Sequence, residues 1–187
     1  MKKTLSVLYC IIACLSLILP VAANPGFLED YEALDAASHS VILLYAAEDH
    51  EWEEASSGSG FVAFDNQNFI TNYHVIENAV DMFVYDENEQ VYEVGRIIAV
   101  DKEKDIAILS FAKPTNLKPL TLAHKPDLKK GQPVAAIGYP KGLYNTLSMG
   151  IISALIERDG IKEIQFSAPI SHGNSGGALF NAAGEVI

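Results

Sequence analysis

Cysteine is almost absent from this chain. Among its 187 residues there are two, Cys10 and Cys14, and both lie close to the N-terminus. Basic residues are also scarce, with 13 Lys and Arg against 24 Asp and Glu, a formal net charge of −11. Nucleic acid and anionic membrane surfaces would repel such an acidic chain, so neither is expected as a partner.

The N-terminus has the pattern of a secretory signal peptide. Two lysines precede an apolar stretch over residues 5–19, which is followed by Pro20 and the small residues "VAA". We predict cleavage after Ala23, so that residues 1–23 are removed and the product is exported to the periplasm or the extracellular space. The alternatives are an uncleaved membrane anchor, because the apolar stretch is almost long enough to span a bilayer, and acylation at Cys14. Pro20 and the small residues favour cleavage, after which no stable membrane insertion is expected.

Cleavage would leave an exported domain without any thiol. Both cysteines would be lost, and removal of the two N-terminal lysines would leave 11 basic against 24 acidic residues, a net charge of −13. Since no disulfide can form, the fold must be stabilised by its hydrophobic core, and 49% of the chain is hydrophobic. A bacterial envelope is the natural compartment for such a domain.

Short strand-like runs separated by turn residues predict an all-β fold. Runs such as "VILLYA", "GFVAF", "DIAILSF" and "QPVAAIGYP" are bounded by Gly, Asn, Asp and Pro. Only "TNYHVIENAVD" hints at a helical turn between strands. The sequence contains no internal repeat, P-loop or paired zinc-ligand spacing, so we expect no cofactor and no metal. Repeated short strands are typical of a barrel or a sandwich.

Composition divides the rest of the chain into four segments. Residues 24–35 are predicted to be an N-terminal segment with a short helix, and residues 36–113 a first β unit. Residues 114–119 begin and end with proline and are predicted to be a linker. Residues 120–187 are predicted to be a second β unit. The final "GEVI" has the pattern of the middle of a strand, so we expect this second unit to be incomplete.

A serine in "GNSGG" raises the question of a nucleophile. A serine hydroxyl is a poor nucleophile unless a base accepts its proton and an acid fixes the tautomer of that base. The glycines around Ser175 allow a tight turn in which two amides point at one oxygen, although such a turn is more often only a turn. His74 ends the strand-like run "FITNYHVI" and Asp105 opens "DIAILSF". Taken singly, His74 could equally well be a buried core histidine, and Asp105 could be a solvent-exposed carboxylate at the end of a strand.

Together these residues and their surroundings resemble the chymotrypsin-fold serine proteases, in particular the bacterial HtrA (Deg) type. The similar motifs, in the same order, are "SGSGFV", "ITNYHVI", "DIAIL", "VAAIGYPKGL", "GIISA" and "GNSGGALFN...GEVI". The resemblance covers residues 36–187. It implies two antiparallel six-stranded β-barrels, formed by residues 36–113 and by the incomplete unit 120–187, with the active site in the cleft between them.

The resemblance also implies a role for each site residue. Ser175 would attack the peptide carbonyl, His74 would act first as general base and then as general acid, and Asp105 would orient the imidazole. The oxyanion hole would be formed at Gly173, Asn174 and Ser175, with the amides of the first and last of these as donors.

Four further residues follow from the same comparison. Pro169 and Ile170 would lie near the primary specificity pocket, and "SAPISH" contains no acidic residue, so small or aliphatic side chains are expected there. His172 either contacts the substrate or is an exposed loop residue without a role, and we do not assign it to catalysis. Asp101 lies in the polar turn "DKEKD" and is not taken as the acid of the triad.

These observations favour an exported serine endopeptidase. It would hydrolyse peptide bonds of unfolded or misfolded proteins through an acyl-enzyme intermediate, with polypeptides as substrates. The alternative is a catalytically inactive, peptide-binding or chaperone-like relative that binds extended chains by strand addition. A purely structural domain ranks last, because it has no use for the triad. The natural substrate, PDZ domains beyond Ile187 and assembly into a homo-oligomer are left open.

Overall fold

The computed structural model describes residues 26–51, 55–142 and 144–187. The predicted signal peptide lies outside these residues, so its cleavage stays a prediction. Within the described ranges, no helix is long and apolar enough to cross a membrane.

Helices are few and short in the part of the chain that the structure describes. They are α1 (Tyr31–Ser38), the single turn α2 (Tyr73–Ile76) and two 3-10 turns at Phe27–Glu29 and Pro140–Gly142. Helix α1 begins where it does because the Asp30 carboxylate accepts hydrogen bonds from the amides of Glu32 and Ala33, both at 3.1 Å.

Antiparallel strands make up most of the structure. They are β1 (Val41–Ala47), β2 (Ala55–Val62), β3 (Asn68–Thr71), β4 (Asp81–Tyr85), β5 (Val91–Asp101), β6 (Ile106–Phe111), β7 (Pro133–Gly138), β8 (Thr146–Arg158), β9 (Ile161–Phe166) and β10 (Ala178–Phe180). The first six close into a barrel in the order β1-β2-β3-β6-β5-β4, and the last four form a sheet in the order β10-β7-β8-β9. The predicted all-β class is confirmed, as a closed barrel followed by a half-barrel.

Strand β1 lies between two hydrophobic cores, which explains why "VILLYAA" shows no polar alternation. Ile42 and Leu44 point into the interior of the first barrel. Val41 and Leu43 point the other way, into a second core shared with α1, β7 and β10, where Phe180 is fully buried. Because successive side chains of a strand point to opposite faces, a strand covered on both faces must be apolar at every position. The two halves of the molecule therefore share a core.

The run "FITNYHVI" is divided between a strand and a helix, so the expectation that His74 ends a strand is wrong. Strand β3 ends at Thr71, whose hydroxyl donates to the carbonyl of Ser59 at 2.6 Å. The Asn72 side-chain amide then donates to the Asp105 carbonyl at 2.7 Å. These bonds turn the chain out of the sheet, and His74 lies on the first turn of α2.

Truncation of Leu44 should destabilise the protein strongly, because its side chain is fully buried in the first core. We expect Leu44→Ala to lower the free energy of unfolding by about 2–5 kcal/mol, measured by urea denaturation. Val91→Ala is the matched control: Val91 lies on β5 but is 51% exposed. It should change the free energy by less than about 0.5 kcal/mol. Equal losses in the two variants would contradict the assignment of the core.

Candidate active site

Asp105 and His74 are joined by two hydrogen bonds. Asp105 Oδ2 lies 2.6 Å from His74 Nδ1, and Oδ1 accepts the backbone amide of His74 at 2.8 Å. The pair is partly open to solvent, with side-chain exposures of 53% for His74 and 41% for Asp105. When Nδ1 carries the proton of this bond, Nε2 is left with a lone pair. The carboxylate thus selects the tautomer in which His74 can accept a proton at Nε2.

Asp105 reaches this position through an unusual backbone conformation. Its φ is +55°, in the left-handed region, where Asp is among the few residues found with any frequency. The carbonyl of the same residue accepts the Tyr73 amide at 3.1 Å and the Asn72 side chain. Asp105 therefore binds the α2 segment with both its main chain and its side chain.

The loop that carries Ser175 packs directly against the first barrel. The Ser175 carbonyl accepts the backbone amide of Ser59, on β2, at 2.7 Å. Gly176 has a φ of +85°, and a Cβ atom there would overlap the Ser59 carbonyl and the Thr71 hydroxyl. The glycine after the serine is thus required twice, for its backbone conformation and for the close approach of the loop to β2 and β3.

Several amides of the loop over residues 171–177 have no acceptor within the residues that the structure describes, and those of Gly173 and Ser175 are among them. Other groups of the loop are bonded. Lys141 donates its amide to the His172 carbonyl at 2.6 Å, and the Asn174 amide donates to the Ser171 carbonyl at 3.1 Å. The amides of the two residues predicted as oxyanion donors are therefore free to bind a further oxygen.

His74 and Ser175 lie near each other without a direct hydrogen bond between their side chains in the described part of the chain. Gly58 lies between the two segments that carry them. A Cβ atom at this position would lie 2.7 Å from Cγ1 of Val75, the neighbour of His74, and 3.2 Å from the Ser175 carbonyl oxygen. The structure thus brings His74 and Asp105 into contact and places Ser175 beside the helix that carries the histidine.

A cleft of about 290 Å³ opens next to the serine. Its lining contains no charged side chain and consists of Asn72, Ala136, Ile137, Phe166, Ile170, Ser171, Asn174, Ser175, Gly176, Gly177, Ala178 and Leu179. Ile170 lines it, but Pro169 does not. An apolar cleft without a carboxylate suits an apolar side chain.

Two other residues considered from the sequence, His172 and Asp101, lie outside this arrangement. The His172 side chain is exposed at the surface of the loop. Asp101 is bonded to Lys104 Nζ at 2.6 Å, and this hydrogen bond holds the pKa of the Asp101 carboxyl below its usual value. In the described ranges, no three His, Cys, Asp or Glu side chains cluster closely enough to hold a metal ion.

One residue near the site was missed by sequence reasoning. Ser59 lies in the motif "SGSGFV", to which no individual role was given, yet its side chain donates to the Gly173 carbonyl at 2.6 Å. The signal available was a serine in a segment that is otherwise small or apolar. Nothing in the sequence shows that the hydroxyl faces a loop 114 positions away.

Comparison with known proteins gives relatives for most of this chain. Residues 58–187 match the model of the trypsin-like peptidase domain. A probable periplasmic serine endoprotease, DegP-like, of Halomonas elongata is 41% identical over 145 residues, which cover 75% of this chain and 30% of that protein. Anti-sigma-I factor RsgI9 of Acetivibrio thermocellus is 37% identical over 147 residues, 78% of this chain and 20% of that protein.

A solved structure shows the same fold. The HtrA-type protease AlgW with a tripeptide superimposes with a TM-score of 0.74 at 32% identity, covering 84% of this chain and 52% of that one. The chain spans less than a third of the length of the two relatives above. With a family match over residues 58–187 and the shared barrel architecture, the chain belongs to the trypsin-like peptidase domain family, with HtrA and DegP serine proteases among its homologues.

Proposed function

We propose that this protein is an exported serine endopeptidase that cleaves polypeptides, in particular unfolded or misfolded proteins, through an acyl-enzyme intermediate. The observation that carries the proposal is the pair of unpaired amides, Gly173 and Ser175, beside the hydroxyl of Ser175. Unpaired donors next to a nucleophile serve acyl transfer when they converge on the oxyanion that forms and must be stabilised. The names of the DegP-like relatives support a periplasmic location.

The proposed reaction starts with His74 and Ser175. His74 Nε2 accepts the hydroxyl proton as Ser175 Oγ attacks the peptide carbonyl, and the carbonyl oxygen takes up the negative charge between the two free amides. Asp105 keeps the imidazole oriented and stabilises the imidazolium. The absence of a direct bond between His74 and Ser175 among the described residues is compatible with this step, because catalytic hydrogen bonds often tighten only when the substrate is bound.

Collapse of this intermediate releases the first product. The C–N bond breaks, the amine leaves with the proton from His74, and an ester to Ser175 remains. Water then attacks the ester by the same route, giving its proton to His74 and forming a second oxyanion in the same place. Ester hydrolysis yields the carboxylic acid, which loses its proton to water, and returns the other proton to Ser175 Oγ, so that atoms and charges balance without a cofactor.

Replacement of the nucleophile should abolish cleavage while the fold is retained. We expect Ser175→Ala to lower kcat on an unfolded substrate such as casein by about a million-fold. A fluorophosphonate should label the wild type once, at Ser175, and should not label the variant, as measured by intact-mass spectrometry. Equal cleavage by both proteins would overturn the proposal. Peptide binding without any labelling of a folded wild type would favour the inactive, peptide-binding alternative.

Replacement of Asp105 tests the proposed role of the acid. In Asp105→Asn the amide donates to His74 Nδ1, so the proton moves to Nε2, which can no longer accept one from serine. We expect kcat to fall by about 10⁴-fold. Asn tolerates the left-handed backbone conformation at least as well as Asp, so the turn should persist.

The chain offers a matched control four residues away. Asp101→Asn removes an equally exposed carboxylate, which is bonded to Lys104 rather than to the histidine. Exposed ion pairs of this kind contribute little to stability, so the fold should persist and kcat/KM should stay within about twofold of the wild type. Comparable losses in the two variants would contradict the special role of Asp105.

The uncharged cleft predicts the preferred side chain before the scissile bond. Peptides with Ala, Val or Leu at that position should be cleaved at least about tenfold faster than those with Lys or Arg, because an unpaired charge is costly to bury. Ile170→Asp should shift the ratio toward Lys and Arg, since Ile170 lines the cleft and is 58% exposed. Faster cleavage after basic residues by the wild type would contradict this specificity.

A further inference from the structure

Ser59 carries a buried hydroxyl that connects the two halves of the molecule. Its residue is fully buried on β2, and its Oγ donates to the Gly173 carbonyl at 2.6 Å. The same oxygen accepts the backbone amide of Tyr139, next to the end of β7, at 2.8 Å. Both partners belong to the second half of the chain. Tyr139 and Gly173 are also buried, so their backbone groups cannot bond to water. The single hydroxyl of Ser59 satisfies both of them.

The main chain of Ser59 reaches the same loop. Its amide donates to the Ser175 carbonyl at 2.7 Å, while its carbonyl accepts the Thr71 hydroxyl at 2.6 Å. The residue thus makes four hydrogen bonds, two of which end on the loop that carries the nucleophile. No apolar residue of similar size could supply the bond to Gly173.

Two glycines, Gly138 and Gly176, lie close to Ser59. A Cβ atom on Gly138 would lie 3.0 Å from Ser59 Oγ and 2.6 Å from the side-chain oxygen of Asn174. A Cβ atom on Gly176 would overlap the Ser59 carbonyl. Glycine on both sides lets the loop approach β2 closely enough for the hydroxyl to reach Gly173. The contact therefore depends on Ser59, Gly138 and Gly176, which lie in three separate parts of the sequence.

Three peptide groups of the loop are held by hydrogen bonds, while the amides of Gly173 and Ser175 have no acceptor within the described part of the chain. The peptide group between 172 and 173 is held by the Lys141 amide, the one between 173 and 174 by the Ser59 hydroxyl, and the one after 175 by the Ser59 amide. Adjacent peptide groups share a Cα atom, so the orientation of one limits the next through φ and ψ. Ser59 thus holds the peptide group that lies between the two unpaired amides, Gly173 and Ser175.

We propose that Ser59 is a positioning residue for the oxyanion hole: its hydroxyl orients the 173–174 peptide group and thereby aims the amides of Gly173 and Ser175 at one point. This inference rests on the proposed peptidase function. Without the hydroxyl, the Gly173 carbonyl and the Tyr139 amide lose their partner, and rotation of the peptide group toward other donors moves the two amides apart. A misplacement of about 1 Å at a reacting centre costs about 100-fold in rate.

The test compares Ser59→Ala with the wild type in the full-length protein, using a chromogenic peptide and fluorophosphonate labelling. We expect kcat to fall by about 10- to 100-fold, while KM changes by less than about twofold, because the oxyanion forms only after the substrate has bound. The rate of labelling should fall with kcat, but its end point should stay at one label per chain. The pH at half-maximal kcat/KM should not move, since within the described residues neither His74 nor Asp105 is hydrogen-bonded to Ser59.

Thr115→Val is the matched control for loss of a buried hydroxyl. The Thr115 hydroxyl also donates to a carbonyl, that of Asn66 at 2.8 Å, and accepts an amide, that of Leu117 at 3.2 Å, but it lies away from the site. This variant should lose a similar amount of stability with kcat unchanged. Ser59→Cys keeps a weak donor in place and should retain intermediate activity, and it carries the test if Ser59→Ala does not fold.

The outcomes separate this inference from the proposed function. A kcat for Ser59→Ala equal to that of Thr115→Val would overturn the role of Ser59 alone. A loss of activity matched by a lower end point of labelling would also overturn that role, because the variant would then simply contain less folded protein. A folded wild type that neither cleaves nor labels would overturn the proposed function, and this inference with it.

Discussion

The close contact between β2 and the 173–177 loop is the interaction on which the candidate site depends. One backbone hydrogen bond joins Ser59 to Ser175 across the two halves, at a close approach that a side chain at Gly176 would block. Backbone groups are obligatory hydrogen-bonding partners when they are buried, so the contact admits few alternative arrangements. Loss of this docking would separate the serine from the histidine while leaving most of each sheet intact.

The shared hydrophobic core makes this contact possible. Strand β1 is covered on one face by the interior of the first barrel and on the other by residues of α1, β7 and β10. Burial of apolar side chains is strong but does not specify direction, whereas hydrogen bonds specify geometry at little net gain in free energy. The core thus brings the halves together, and the polar contacts around Ser59 determine how they meet.

The pair formed by Asp105 and His74 has a different physical role. It is about half exposed, and polar contacts of that kind contribute little to stability. Its value is geometric, because the two oxygens of one carboxylate hold both the ring and the backbone of the histidine. The left-handed conformation of Asp105 is maintained by contacts of its carbonyl with the segment just before the histidine.

Sequence reasoning succeeded where the signal was local. Short apolar runs bounded by turn residues predicted the all-β class, and the order of the motifs around His74, Asp105 and Ser175 predicted the family and the barrel architecture. It failed where the apolar pattern continued through a turn. The segment "FITNYHVI" looks like one strand, yet it turns at Asn72 because distant groups bind the chain there. Ile170 borders a cleft next to Ser175, whereas Pro169 lies just outside its lining.

The sequence by itself determined the strand-rich fold, the acidic charge and the identity of the residues able to do chemistry, because periodicity, charge and residue type are local properties. The tertiary structure alone decided how they meet: both oxygens of the Asp105 carboxylate bind His74, and a buried serine in the first barrel holds the peptide group between the free amides of Gly173 and Ser175. These outcomes depend on hydrogen bonds between residues far apart in the chain. Their geometry exists only after the core has formed, since it is the packing of the two halves that brings donor and acceptor within about 3 Å of each other.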